Sequence, residues 1–395
     1  MVHFERSMVS VLLEEIQTHQ PVFQVLTGPR QVGKTTIAHQ VMGKLPFPSV
    51  YASADSPLPP GVEWIETQWR RVQLEANRSG GPVLLVLDEV QKVQGWSESL
   101  KYFRDASRRA PEDIRLLVLG SSALLIQEGL AESLAGRFYL HRCPHWTFPE
   151  CAAAFGWDLP RWIYFGGYPG AAVFGEDEEK WRRYVADSLI ETVLSRDVLQ
   201  LQKISKPALL RHLFALAATF PAQILSYNKM LGQLQDAGNT TTLAQYLRLL
   251  ETAFLISGLE LFSKGSIRKR GSSPKLILWN NALVNALAGR SFNESHADAV
   301  WWGRLVENAV GAHLLNHLHP VGCSVAYWRR RDQEVDFVIT KGSRICAIEV
   351  KSGRSGKISG MEAFHAGYPS ARRIVVGGNG IPLDEFFSAS PEAWI

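Results

Sequence analysis

The chain has 395 residues, 46% hydrophobic and 20% charged, with a formal net charge of +4, which describes a folded, soluble protein of about two to four domains. No apolar run reaches the roughly 18 residues of a membrane span, and acidic residues interrupt the N-terminal stretch "MVHFERSMVSVLLEEI", so neither a membrane helix nor a signal peptide is expected and a cytoplasmic protein is. Cys143, Cys151, Cys323 and Cys346 are far apart and lack CxxC spacing, which points to reduced, buried thiols and away from a disulfide framework or a zinc site.

In chain order, the first element is a buried-strand run over Val22 to Leu26 that ends in "TGPRQVGKTT" and passes into a helix through Met42. The runs "PVLLVLDEV" (Pro82 to Val90) and "IRLLVLGSS" (Ile114 to Ser122) read as further buried strands, with an amphipathic helix, roughly Ser97 to Arg109, between them. Apolar strands alternating with helices indicate an α/β fold with a parallel sheet. Gly28, Pro29, Arg30, Gln31, Val32, Gly33, Lys34 and Thr35 match GxxxxGK[ST] between a strand and a helix, with Thr36 following. Backbone N–H groups there can wrap phosphates, Lys34 would reach the β- and γ-phosphates of ATP, and the Thr35 hydroxyl would coordinate Mg²⁺.

The second strand delivers Asp88 and Glu89 to the sheet edge, Asp88 for the Mg²⁺ shell and Glu89 to polarise an attacking water. An acid at that place favours hydrolysis over phosphate transfer to a small metabolite. The third strand ends at Ser121 and Ser122, either of which could bond the γ-phosphate or the lytic water; a turn or N-cap role is the alternative. Arg137 stands between a helix and a strand, where it is either a solvated helix-end arginine or an arginine that reaches another nucleotide site; Arg108 and Arg109 are weaker candidates for the latter.

After Cys143 the strands stop and Trp181 to Leu201 reads as a long helix. Over Ser226 to Phe262 a short helix ends at "DAGN", Asn239 or Thr240 caps the next, and Leu243, Tyr246, Leu247 and Leu250 recur at helical spacing. Helix, turn, helix and strands is the order of a winged helix-turn-helix. Thr240, Thr241, Thr242 and Gln245 would lie on the exposed start of its second helix, suited to DNA contacts. The loop "SKGSIRKRGSSPK" supplies Lys264, Arg268, Lys269, Arg270 and Lys275 as a cationic wing for a phosphate backbone. A protein-docking winged helix with a merely solvated loop is the other reading.

Glu307 lies on a predicted helix from Arg304 to His317. Glu334 and Asp336 then share one face of a strand, and Glu349 and Lys351, after twelve intervening residues, share a face of the next. This order is similar to that of PD-(D/E)xK nucleases, with Val335 in place of the proline. Asp336 and Glu349 would share a Mg²⁺, Glu307 would complete its shell, and Lys351 would orient the attacking water. A charged hairpin that only binds DNA, or only meets solvent, remains open. His313 and His317 share a helix face but read as packing residues, not a metal site.

Taken together, "TGPRQVGKTT", "LLVLDEVQ", "LGSSALL", "SLAGR", "FGGYPG" and "EVDFV…IEVK" resemble bacterial and archaeal AAA-type P-loop ATPases that carry a C-terminal domain of unknown function with a restriction-endonuclease-like core. The resemblance implies an oligomer, such as a ring of copies of this chain, with Ser121 as sensor 1 and Arg137 as the arginine that enters a neighbouring subunit's nucleotide site. The expected organisation is an ATPase core over 1–142, a helical lid over 143–205, a winged helix over 206–285 and a nuclease-like α/β domain over 286–395. The expected function is Mg²⁺-dependent ATP hydrolysis by an oligomeric DNA motor or remodeller, with branched DNA as one candidate substrate. An ATP-controlled switch for protein partners and an ATP-licensed nuclease are the alternatives.

Overall fold

The computed structural model describes residues 4–18, 22–57, 60–107, 113–120, 134–198, 204–234, 238–263, 266–268, 272–353 and 359–395. They pack as two compact units, Met1–Pro144 and His145–Ile395.

In the first unit, strands β1 (Phe23–Thr27), β2 (Ser49–Ser53), β3 (Val83–Asp88), β4 (Ile114–Gly120) and β5 (Phe138–Arg142) form one parallel sheet in the order β2-β3-β4-β1-β5. Every residue of "FQVLT" and "VLLVLD" is buried, as a sheet covered on both faces requires. Helices α1 (Ser7–Gln17), α2 (Lys34–Lys44), α3 (Glu63–Ser79) and α4 (Trp96–Ser107) complete the unit. Trp69 and Val72 of α3 and Leu100 of α4 pack with Leu85, Leu87 and Val118 of the sheet. Because β4 lies between β1 and β3 and all three run the same way, the glycine loop after β1 and the acids at the end of β3 share one sheet edge.

The second unit opens with helices Phe148–Phe155, Leu159–Phe165 and Glu178–Arg183; the last runs on through wider π-type turns at Tyr184–Ile190 and Val193–Val198. Helices Pro207–Thr219, Tyr227–Gln233 and Thr240–Thr252 follow, then β6 (Ile256–Leu259), which pairs antiparallel with β9 (Lys275–Leu278), with Ile224 bridging to Lys275. A second sheet has the order β13-β12-β11-β10-β7-β8, built from β7 (Leu261–Ser263), β8 (Ser266–Arg268), β10 (Ser324–Arg330), β11 (Gln333–Lys341), β12 (Arg344–Lys351) and β13 (Arg372–Gly377). Leu261 pairs with Tyr327, so β7 and β8, which fall in and beside the expected basic wing, extend the edge of this sheet. Unmet edge hydrogen bonds on β10 account for the recruitment.

The "FGGYPG" motif has a packing cause. A Cβ on Gly166 would lie 1.9 Å from Asn280 Oδ1, and one on Gly167 would lie 2.1 Å from the Trp146 carbonyl. Asn280 Oδ1 accepts the Gly167 N–H at 3.2 Å. Asn281 donates to the Ile163 and Leu305 carbonyls, Asn285 to that of Tyr164, and Asn308 to that of Leu278. These asparagines are buried, and through these bonds they knit elements from across the second unit. The expected boundary at 285/286 falls inside helix Asn281–Ala288, which carries Asn281 and Asn285.

Candidate functional site

At the end of β1, Gly28 backs onto β5: a Cβ there would meet the Cys143 carbonyl at 2.1 Å. Gly33 has φ 95°, and nothing lies within 4 Å of where its Cβ would stand, so the loop leaves an open cradle that a side chain would narrow. Buried Lys34, the first residue of α2, donates from Nζ to the carbonyls of Gly28 (2.8 Å) and Pro29 (2.7 Å). Burial pulls its ammonium below the ordinary lysine value, while Cys143, Glu89 and Asp88 pull the other way. Arg6, also buried, donates to the Val32 carbonyl at 3.2 Å and the Pro144 carbonyl at 3.0 Å, clasping the loop from the N-terminal side.

Across the edge, the Thr35 hydroxyl donates to Asp88 Oδ2 at 2.8 Å, and Tyr51 of β2 donates to the same oxygen at 2.8 Å. Burial, then the bond to Asp88, raises the Tyr51 phenol above its usual value, so it remains a donor. Sequence reading missed Tyr51; a tyrosine beside Asp88 follows only from the pairing of β2 with β3. Glu89 has φ 53°, a left-handed conformation that costs a side-chain-bearing residue about 1–3 kcal/mol, and its Oε2 accepts from Gln91 at 2.7 Å. Gln31 in the loop shares the conformation, with φ 58°. Thr35 and Asp88 thus converge as hard oxygen donors beside an open cradle, a set that fits Mg²⁺ and a nucleotide phosphate chain. Ser121, Ser122, Arg108 and Arg109 lie outside the described residues. Arg137 faces Asp105 at 3.4 Å, both partly exposed.

In the second unit, Glu307 on helix Ala299–Leu318 meets Glu334 and Asp336 of β11, with one carboxylate oxygen of each within 4.8 Å of the others. Gly311, one turn beyond Glu307, permits this approach, since a Cβ there would be 2.9 Å from both Ile277 and Phe337. Lys275, assigned by the sequence to the cationic wing, is fully buried instead. Its Nζ lies 2.5 Å from Glu307, 3.1 Å from Glu334 and 3.4 Å from Asp336. Burial works against the Lys275 charge, but Glu307, Asp336 and Glu334 outweigh it and hold the ammonium above the ordinary lysine range. Asp336 Oδ2 accepts the Val350 N–H at 2.8 Å. Lys351 donates to Glu349 Oε1 at 2.7 Å, and burial, then Asp336, raises the Glu349 carboxyl. The sequence sign for Lys275 was a lysine opening the apolar strand "KLIL".

Asn239 caps helix Thr240–Thr252 through Oδ1, which accepts the Thr242 N–H at 2.9 Å and its hydroxyl at 3.1 Å. Thr240, Thr241, Gln245 and Arg248 are exposed on that helix, whereas Thr242 is tied into the cap. Arg268 lies in β8 opposite Leu261; Lys264, Lys269 and Arg270 lie outside the described residues.

Residues 20–152 match the family model of an AAA domain. The same residues carry the parallel sheet and the glycine loop, so the match and the geometry agree on an AAA-like P-loop domain in this part of the chain. Residues 156–294 match a model described as "Domain of unknown function (DUF8612)", and residues 302–389 one described as "Domain of unknown function (DUF4143)". The chain is 27% identical over 384 residues to "Uncharacterized protein Rv2008c" of Mycobacterium tuberculosis and to "Uncharacterized protein Mb2031c" of Mycobacterium bovis, covering 94% of this chain and 80% of each relative. Among solved structures, the Aeropyrum pernix ORC1 protein in complex with DNA aligns at 16% identity and TM-score 0.32, over 72% of this chain and 91% of that one. The Thermotoga maritima RuvB Holliday junction branch migration motor aligns at 16% identity and TM-score 0.36, over 67% and 92%. No described helix is long and apolar enough to cross a membrane.

Proposed function

We propose that this chain is a Mg²⁺-dependent ATP hydrolase that works as an oligomer and couples turnover to DNA. The observation that carries the hydrolytic part is the 2.8 Å approach of Thr35 Oγ1 to Asp88 Oδ2 at the mouth of the glycine loop, with Glu89 next in sequence. Thr35 and Asp88 would hold the ion, which when bound neutralises phosphate charge. Lys34 exchanges its bonds to the Gly28 and Pro29 carbonyls for phosphate oxygens, which binds and orients the nucleotide. Glu89 accepts the proton of the attacking water. Arg137 acts between subunits, and Ser121 bonds the γ-phosphate.

The DNA part rests on the capped helix Thr240–Thr252, which presents Thr240, Thr241, Gln245 and Arg248, and on the charges of Lys264, Arg268, Lys269 and Arg270. Three helices followed by the β6/β9 pair support a winged-helix reading of 206–285, and the helices of 143–205 are read as the lid. The order helix, β10, β11, β12 supports a nuclease-like core after 286.

ATP turnover measured with no DNA and with single-stranded, duplex and branched DNA tests the proposal. Lys34→Ala is expected to abolish turnover, and Glu89→Gln to bind ATP but hydrolyse it at least about a hundredfold more slowly, as loss of a general base does. DNA is expected to stimulate the wild type, less so as salt rises. Wild-type turnover by Glu89→Gln removes the assigned base; turnover indifferent to every DNA moves the output to a protein partner.

A further inference from the structure

Glu307, Glu334 and Asp336 bring one carboxylate oxygen each within 4.8 Å of the others, and a divalent ion held by them needs room among those oxygens. The donor set does not leave it. Lys275 Nζ is 2.5 Å from Glu307 Oε1, 3.1 Å from Glu334 Oε1 and 3.4 Å from Asp336 Oδ1, and it also donates to the Asp336 carbonyl at 3.3 Å. A Mg²⁺ bound to such oxygens at about 2.0–2.1 Å would overlap the ammonium. Nor is Lys275 a mobile surface arm. Its side chain is fully buried, with Nζ 5.2 Å from the centre of the Phe337 ring. Its backbone is paired with Leu259 and Ile224, and three residues on Leu278 is locked to Asn308 in both directions.

We infer that the Lys275 ammonium replaces the divalent ion in this centre, which makes Glu307, Glu334 and Asp336 an internal ion cluster joining β9 to β11 and helix Ala299–Leu318, and not a cleavage site. The lysine comes from the segment that precedes the nuclease-like core, outside the expected Glu, Asp, Glu-x-Lys series. Lys351, the lysine of that series, is engaged by Glu349. The inference is independent of whether the chain binds DNA or hydrolyses ATP.

Mn²⁺ binding to the nucleotide-free protein, followed by electron paramagnetic resonance, tests it directly. The wild type and Asp336→Asn are expected to bind equal amounts of Mn²⁺, and Lys275→Ala to bind one ion more, an increment lost again in Lys275→Ala/Asp336→Asn. Circular dichroism reports whether the variants fold. Should Lys275→Ala unfold, the wild-type comparison still decides. Mn²⁺ bound by the wild type and lost in Asp336→Asn overturns the inference, as does DNA cleavage that depends on Asp336. A folded Lys275→Ala that binds no additional ion also overturns it, because the cluster would then not be a metal position with an ammonium in place.

Discussion

At the scale of single residues, the two charged centres use the same carboxylate chemistry to opposite ends. Asp88 collects hydroxyl donors from Thr35 and Tyr51 and keeps an open cradle beside it, whereas Asp336 collects a lysine ammonium and a backbone N–H. A hydrogen bond to a charged group contributes about 1.5 kcal/mol to stability, so Tyr51→Phe should lower the melting temperature and, by freeing Asp88, lower kcat up to about tenfold. An unchanged rate would make Tyr51 a packing residue only. His141 in β5 is buried against Gln24, its Nε2 2.7 Å from the amide oxygen, and burial lowers its pKa to about 4. The unfolded chain, with an ordinary histidine value near 6.5, therefore binds more protons than the fold between those two values. Stability attributable to His141 is full above pH 6.5 and is lost as pH falls towards about 4, by up to about 3 kcal/mol. Chemical denaturation at pH 7 and pH 4.5 should show this loss in the wild type and a smaller one in His141→Gln.

At the scale of elements, two glycines with similar φ are under different constraints. Gly156 ends helix Phe148–Phe155 at φ 65° with nothing within 4 Å of where a Cβ would stand, so Gly156→Ala should cost only about 1 kcal/mol. Gly166 ends helix Leu159–Phe165 at φ 72° and ψ −166°, a region open essentially to glycine alone, and its Cβ would strike Asn280 and Ala282. Gly166→Ala should cost several times more, about 3 kcal/mol or above. Denaturation midpoints compare the two, and equal costs would mean that the Asn280 contact gives way easily. Lys275 belongs at this scale too. Removing one partner of a buried ion cluster costs about 3–5 kcal/mol because the remaining charges are left uncompensated, so β9 is held by charge to β11 and to helix Ala299–Leu318, where Ile277 also packs on Gly311.

At the scale of the whole molecule, the proposed oligomer turns on Arg137. Its pair with Asp105 at 3.4 Å is partly exposed, and such pairs contribute less than about 1 kcal/mol, which leaves the guanidinium free to exchange partners. If it acts in a neighbouring subunit's site, inactive Arg137→Ala and Lys34→Ala proteins should regain measurable turnover when mixed, and wild-type turnover per subunit should rise with protein concentration. A monomer by light scattering under turnover conditions, with a rate independent of concentration, would leave Arg137 as a surface ion-pair residue.

The local signals in this chain were strong wherever function depends on consecutive residues. A glycine loop between strand and helix, an acidic pair after four apolar residues and an asparagine cap all act over a few positions, so "GPRQVGKT", "LLVLDE" and "GNTTT" announced β1 to α2, the end of β3 and the start of helix Thr240–Thr252 without any knowledge of the fold. Spacing also put Glu307 on a helix and Asp336, Glu349 and Lys351 on successive strands, but which carboxylates meet is decided by the packing of that helix on β11. Tyr51 became a ligand of Asp88 only through the pairing of β2 with β3, and "FGGYPG" acquired a reason only when Asn280 was found against it. Of the cations read as a basic wing, β9 carries Lys275 into the carboxylates, while Lys264, Lys269 and Arg270 lie outside the described residues. Charge is visible in a sequence, but whether a charge meets water, a phosphate or another side chain is decided by contacts between residues distant in the chain, and those exist only once it has folded.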